Sequence, residues 1–237
     1  TVGSVPLIAR AVRVAKASRS PGRVVVSTDH SGIAVVAEAE GAEVVLRPAD
    51  ISGEGSPVEA ALLHVLEVLQ ARDSLPDVLV LLYCTAPLVT ADDLDGTVHE
   101  LTVRRADAAF AAVPVQGALW KQRGAYVDRA GAQAAGAAHG PAGWIEAGSI
   151  YAMRVRGFLE AKRLCFGKTA IHPIDPGRHL CIETPEDLYR AKLLCAEVTA
   201  AHNRPAVIYV DIDETICISP PERDYRRAVP IPENIAA

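Results

Sequence analysis

The chain has 237 residues, 50% of them hydrophobic and 22% charged, with a net charge of −5 at neutral pH. That length and apolar content exclude a disordered chain and suit one large domain, or one domain with a fragment of a second. Acidic and basic residues are interspersed and the longest basic runs are pairs, at Arg104–Arg105 and Arg226–Arg227. The basic face that a nucleic-acid binder needs is therefore not expected. The cysteines, Cys84, Cys165, Cys181, Cys195 and Cys217, form no CxxC pair and are irregularly spaced. Neither a zinc site nor a disulfide framework is expected, and the cytoplasm is the expected compartment. A secretory signal is not expected, and no apolar run approaches the ~20 residues of a membrane span.

In chain order, Leu7, Ala11 and Val14 beside Ile8, Val12 and Ala15 predict a first amphipathic helix. Arg23–Thr28 (RVVVST) is a short β-branched run and predicts a buried strand. Ser31–Ala39 predicts a second helix, entered after Asp29, and Glu43–Arg47 a second strand. Pro57–Gln70 predicts a third helix, with Pro57 near its start and Ser56 as its N-cap. Asp77–Tyr83 (DVLVLLY) predicts a strand, Ala91–Arg105 a helix capped by Thr90, and Ala106–Pro114 another strand. Gly117–Gly143 is rich in Gly and Ala and predicts an irregular insertion or flexible arm. Ser149–Arg154 and Thr169–Ile174 predict strands. Thr184 caps a helix over Thr184–Ala201, with Pro185 at its first position and Asp187 favourable to its dipole. Ala206–Ile212 (AVIYVDI) predicts a last strand.

Near-continuous apolar strands alternating with helices define an α/β chain with a mainly parallel, doubly wound sheet. Ligands in such folds bind outside the carboxyl ends of the strands. That rule selects Ser27-Thr28-Asp29, Arg47-Pro48 and Tyr83-Cys84-Thr85. A first unit is expected over residues 1–203. The short remainder, 204–237, is too small for its own core.

Three segments carry a resemblance when taken in order: Val24–Asp29 (VVVSTD), Leu46–Ile51 (LRPADI), and Tyr83–Leu88 (YCTAPL) followed by Thr90–Leu94. Together they resemble the acylneuraminate cytidylyltransferases, whose members join CMP to acidic nonulosonate or octulosonate sugars. The YxTAPL form is most similar to the pseudaminic-acid branch. The resemblance implies a Rossmann-like nucleotidyltransferase fold, CTP and an acidic sugar as partners, magnesium as cofactor, and a homodimer with the Gly117–Gly143 region as a candidate exchange arm. It places Arg47 at the phosphates, where a guanidinium offers a fork to two oxygens, with Asp29 and Ser56 on the nucleotide side. Tyr83, Thr85 and Glu146 fall on the acceptor-sugar side. Ordinary structural alternatives stand beside these roles: a surface salt bridge for Arg47, a cap for Asp29 or Ser56, core packing for Tyr83, a turn for Thr85.

The chain departs from that family in two places. The family opens with a strand and a glycine loop rich in Arg, Ser and Lys, whereas this sequence starts at Thr1-Val2-Gly3-Ser4, which resembles the segment just beyond such a loop. The family's Asp-x-Asp-Thr-Pro-Glu-Asp metal motif reads Cys181-Ile182-Glu183-Thr184-Pro185-Glu186-Asp187 here. A thiol is a poor magnesium ligand, which leaves Glu183 as the candidate.

The tail, Ile208–Ile216 (IYVDIDETI), is a hydrophobic run ending in DxDxT. It resembles the first motif of haloacid-dehalogenase (HAD-like) phosphatases. Asp211 then matches the nucleophile and Asp213 the general acid/base, both also near magnesium, as catalytic residues of a second active site. The expected function is transfer of CMP from CTP to an acidic sugar. The alternatives are a non-catalytic nucleotide-binding or assembly module, and a HAD-type sugar phosphatase carried on a transferase-like scaffold.

Overall fold

The computed structural model describes residues 1–20, 22–53, 55–115, 120–124, 126–129, 143–203, 217–218 and 229–230. The chain divides into two compact units, Thr1–Ala196 and Glu197–Ala237.

In the first unit helix and strand alternate from the start. Helix α1 (Leu7–Ala17) leads to β1 (Val25–Thr28), α2 (Ser31–Ala39) and β2 (Glu43–Leu46). β1 and β2 pair in parallel, from Val25 opposite Glu43 to Thr28 opposite Leu46, so both strands end at one edge. Gly41, with φ +79°, makes the turn out of α2, a conformation that costs glycine little. The α1 stripe divides among three clusters. Ile8 and Val12 pack with Val26, Ala37 and Ala42. Val14 and Ala15 pack against Leu94, Val113 and Ile150, and Leu7 against Val2, Ala191 and Cys195.

Helix α3 (Val58–Gln70) bridges two sheets. Val65 and Leu69 pack on Val45 of β2, while Leu62 and Leu66 join Tyr151, Met153 and Phe158 on the other side. Then come β3 (Val78–Leu82), α4 (Ala91–Val103), β4 (Ala108–Val115), a pair β5 (Trp120–Arg123) and β6 (Tyr126–Arg129), β7 (Gly143–Arg154), α5 (Val155–Ala161), β8 (Thr169–Pro173) and α6 (Pro185–Asn203). A second sheet has the order β3-β7-β4-β8. β4 and β8 run parallel, whereas β7 runs antiparallel to both β3 and β4.

The α/β class therefore holds with one correction: the sheet is mixed, because β7 enters between two strands that run the other way. Apolar composition marks burial on both faces and carries no sign of direction. Two local expectations also change. Part of the Gly117–Gly143 stretch forms the antiparallel β5–β6 pair, and β7 begins at Gly143 rather than Ser149. Ser56 does not cap α3: Pro57 holds the N-cap position and no side chain bonds the exposed amides. Thr90 does cap α4, in a reciprocal box with Asp93. Thr184 and Asp187 exchange the same pair of bonds at the start of α6.

The second unit contains the antiparallel pair β9 (Cys217–Ile218) and β10 (Val229–Pro230). The expected strand Ala206–Ile212 and the carboxylates Asp211 and Asp213 lie outside the described residues. Among the described residues no helix is long and apolar enough to cross a membrane.

Candidate nucleotide and acceptor site

The carboxyl ends of β1 and β2 carry the first group of candidate residues. The Arg47 amide donates to the Thr28 carbonyl at 2.8 Å, extending the parallel ladder by one residue. This sets Arg47 beside Asp29, with Nη2 3.7 Å from Oδ1. Asp29 is exposed and caps nothing; His30 is the N-cap of α2 and accepts from the Gly32 amide. Arg47 Nε and Ser27 Oγ are both buried with no hydrogen-bond partner among the described residues. Buried polar atoms are nearly always bonded, and each exception costs about 1–3 kcal/mol.

The second group gathers at the end of β3. The Tyr83 amide donates to the Ser149 carbonyl at 2.9 Å. The Tyr83 and Tyr151 rings meet edge to face with centroids 6.2 Å apart. Burial pushes the Tyr83 hydroxyl above its ordinary pKa, and the charges of Glu59 and Cys181 add to the shift. Glu59 belongs to the first turn of α3, so the start of that helix, with Ser56 three residues before it, lies close to Tyr83.

Thr85 is bonded to the segment that follows β8. Its carbonyl accepts from the Ile182 amide at 2.8 Å, and its hydroxyl lies 3.3 Å from Cys181 Sγ. Burial raises the neighbouring Cys84 thiol, with Cys181 contributing. The same segment is anchored from the other side. Asp93, 3% exposed, accepts from the Thr90 amide and hydroxyl and from Arg178 Nη2 at 2.6 Å. Glu146 accepts from the Tyr151 hydroxyl at 2.7 Å.

The expected residues thus fall into two sets: Asp29 with Arg47, and Tyr83, Thr85 and Glu146 around Tyr151 and Cys181. Ser56 enters through the start of α3. Its amide donates to the Gly53 carbonyl at 3.0 Å. Strand-end logic selects Ser27 beside Asp29, whereas sequence reasoning gives no role to Tyr151, Glu59 or Ser149. Tyr151 stands on the same strand as Glu146, five residues further on.

Of the residues expected to hold magnesium, Glu183 is described, while Asp211 and Asp213 lie outside the described residues. Among the described residues no group of three or more His, Cys, Asp or Glu side chains could hold a metal ion. Glu183 is exposed, and the donor nearest Thr85 is the Cys181 thiol. Magnesium takes hard oxygen donors in tight octahedral geometry, so these residues do not build a magnesium cage.

The parallel β1–β2 pair and the mixed β3-β7-β4-β8 sheet, with helices alternating along the chain, make an α/β fold of the Rossmann-like nucleotidyltransferase type. Residues 1–130 match the Cytidylyltransferase family, and the chain belongs to that family. It is 36% identical over 90 residues to the 3-deoxy-manno-octulosonate cytidylyltransferase of Bdellovibrio bacteriovorus, a stretch covering 38% of this chain and 33% of that protein. The match thus spans about a third of the curated relative's length. Among solved structures, a CMP:2-keto-3-deoxy-manno-octonic acid synthetase complexed with CTP superposes with a TM-score of 0.59 at 14% identity, over 84% of this chain and 90% of that one. A 4-diphosphocytidyl-2C-methyl-D-erythritol synthase from Anaerococcus prevotii gives 0.59 at 12% identity, over 83% and 88%. A second synthase of that name gives 0.60 at 13%, over 82% and 91%. At such identities the likeness is one of fold.

Proposed function

We propose that this protein transfers CMP from CTP to a sugar acid. The acceptor's hydroxyl oxygen bonds to the α-phosphorus, the bond from that phosphorus to the bridging oxygen of pyrophosphate breaks, and the hydroxyl proton is released. Catalysis of this kind rests on positioning and on neutralising phosphate charge. The observation that carries the reading is the pair of orphaned buried atoms, Arg47 Nε and Ser27 Oγ, at the shared edge of β1 and β2. A nucleotide phosphate is the ligand whose oxygens would satisfy both.

Arg47 then binds phosphate, with Asp29 and Ser56 on the nucleotide side. Tyr83, Thr85 and Glu146 face the acceptor. The acceptor is an octulosonate or a nonulosonate, and the YxTAPL motif favours the pseudaminic type. Magnesium, for which Glu183 is the carboxylate standing where the family's motif has its second aspartate, is proposed as the counter-ion carried on the triphosphate. The whole protein is proposed as a cytoplasmic homodimer. The HAD-like assignment of Asp211 and Asp213 is a separate proposal, and their change to Asn should leave cytidylyl transfer intact.

One observation favours a second reading, a nucleotide-binding module without catalysis: the Cys181 thiol occupies the place beside Thr85 where a hard ligand would serve a metal. The deciding experiment measures pyrophosphate release by the full-length protein from CTP with magnesium and a panel of octulosonic and nonulosonic acids. In parallel, thermal unfolding is followed with CTP alone, because a ligand that binds only the folded state raises the midpoint. Release with any acid establishes the transferase. Stabilisation by CTP without release with any acid establishes the module, and no stabilisation defeats both.

A further inference from the structure

We propose that Tyr151 is a positioning residue. It fixes the Glu146 carboxylate so that Glu146 selects an acceptor by its hydrogen-bond donors and turns the acceptor's own carboxylate away. This inference rests on the acceptor-side reading given above.

The geometry is unusual for one strand. Residues five apart in a regular strand point to opposite faces and lie about 16 Å from each other. Yet Glu146 and Tyr151 of β7 meet at 2.7 Å. The pairing with β4 explains how. Phe110 stands opposite Tyr151 and Ala112 opposite Glu146, so Ala147, Gly148, Ser149 and Ile150 face Ala111 alone. The excess chain is taken up in a bulge through Gly148, whose φ of +61° is a left-handed conformation that disfavours other residues. The bulge folds the strand so that Glu146 returns over Tyr151.

The two partners are unequal. Tyr151 is 6% exposed and its ring is held between Tyr83 and Phe110. Burial, and then the bond to Glu146, push its hydroxyl far above the ordinary range, so it stays a proton donor. Glu146 is exposed, and Tyr151 is its one hydrogen-bond donor among the described residues. One carboxylate oxygen is thereby anchored and the other is presented outward. Cys165 feels the same carboxylate: burial first and Glu146 second raise its thiol to about 11. Tyr83, with Glu59 and Cys181 acting on it, completes the surround. Among the described residues no Lys or Arg pairs with Glu146. An anchored anion with no cationic partner accepts hydroxyl or amide N–H groups, and it repels a carboxylate.

The test uses the full-length protein with 3-deoxy-manno-octulosonate and N-acetylneuraminate as acceptors, and reads steady-state pyrophosphate release. Glu146→Ala, at an exposed position, should raise the acceptor KM about tenfold, the size of one charge-assisted hydrogen bond, with kcat and the CTP KM little changed. Tyr151→Phe should raise the acceptor KM by a smaller factor, and should add nothing when Glu146 is already Ala. Multiplying effects in the double variant would show Tyr151 acting by itself and overturn the positioning role. An unchanged KM in Glu146→Ala would overturn the selection role. CTP binding without turnover of either acid by the parent protein would overturn the acceptor assignment, whereas loss of CTP binding itself would overturn the transferase reading beneath it.

Discussion

Removing the Arg47 side chain separates ligand binding from folding, because the structure gives it so little folding work. Its amide is held by the Thr28 carbonyl and is untouched by a change to Ala. Its guanidinium makes one long contact, 3.7 Å, to a half-exposed Asp29, and such pairs contribute about 0–1 kcal/mol. Its Nε lies buried without a partner among the described residues, an arrangement that costs about 1–3 kcal/mol. Arg47→Ala should therefore leave the unfolding midpoint within a few degrees of the parent, or raise it. If the guanidinium takes two phosphate oxygens of CTP, two charge-assisted bonds of about 1.5 kcal/mol each are lost, about 3 kcal/mol in all. The CTP Kd, measured by isothermal titration, should then rise about 100-fold. Arg47→Lys keeps the charge without the fork and should fall between. A Kd within twofold of the parent, or a large drop in midpoint, would refute the phosphate role.

Further tests address the frame around the site. Asp95 accepts bonds from the Ser18 and Ser20 hydroxyls, the Arg19 and Ser20 amides and the Arg19 guanidinium; Asp95→Ala should cost on the order of 2 kcal/mol in denaturant unfolding. Burial raises the Asp95 pKa, but these bonds together hold it well below the ordinary carboxylate range, so its stabilisation is complete above about pH 4 and fades as pH falls through the folded value. Asp95→Asn should accordingly flatten the acid limb of the stability profile, and an unchanged limb would remove Asp95 as its source. Gly148→Ala meets no atom within 4 Å, so only the left-handed backbone opposes it, at about 1–2 kcal/mol; a larger loss in denaturant unfolding would refute an open bulge. Cys181→Asp places a hard oxygen donor beside Thr85 and should lower the magnesium concentration needed for half-maximal pyrophosphate release. No change would locate the metal away from this segment.

The alternation of helix and strand was legible because periodicity reports which face is buried: α2 runs from Ser31 to Ala39 as expected, and the Thr90 cap of α4 is written in the chain. The direction of β7 was not legible. Ala147–Met153 is mostly buried, and an apolar run has the same composition in either direction. Helix α5 was missed because Val155–Ala161 is short and is entered without a side-chain cap. Ser56 has the chemistry of a cap, but Pro57 takes that position, and proline's fixed φ suits a helix start without help. At the candidate site, strand-end logic named Arg47, Tyr83 and Thr85. It could not find the contact between Glu146 and Tyr151, which depends on a bulge and not on a period. Nor could it foresee Cys181 meeting Thr85 across 96 positions of sequence.

The treatment of buried polar groups differs between the frame and the site. Asp93 is nearly inaccessible, and its carboxylate receives Thr90 and Arg178 directly, leaving neither oxygen unbonded. Thr97, with no exposure, bonds back to the Asp93 carbonyl at 2.8 Å. By contrast Ser27, Arg47 and Ser149 each keep a buried atom without a partner among the described residues; Ser27 and Arg47 stand where β1 and β2 end, and Ser149 lies within β7 opposite Tyr83, the residue that follows β3. His64 Nδ1 and Arg178 Nε share that condition elsewhere, but each is one nitrogen of a side chain rooted in a helical turn. A chain that satisfies Asp93 through three bonds has the means to satisfy a serine hydroxyl. The orphans Ser27 Oγ and Arg47 Nε at the ends of β1 and β2 are thus a cost that folding bears and that, on the proposed function, a bound polar ligand would relieve. The relief adds to affinity only for a ligand whose acceptors reach those atoms, so it favours a phosphorylated nucleotide over an apolar molecule of equal size.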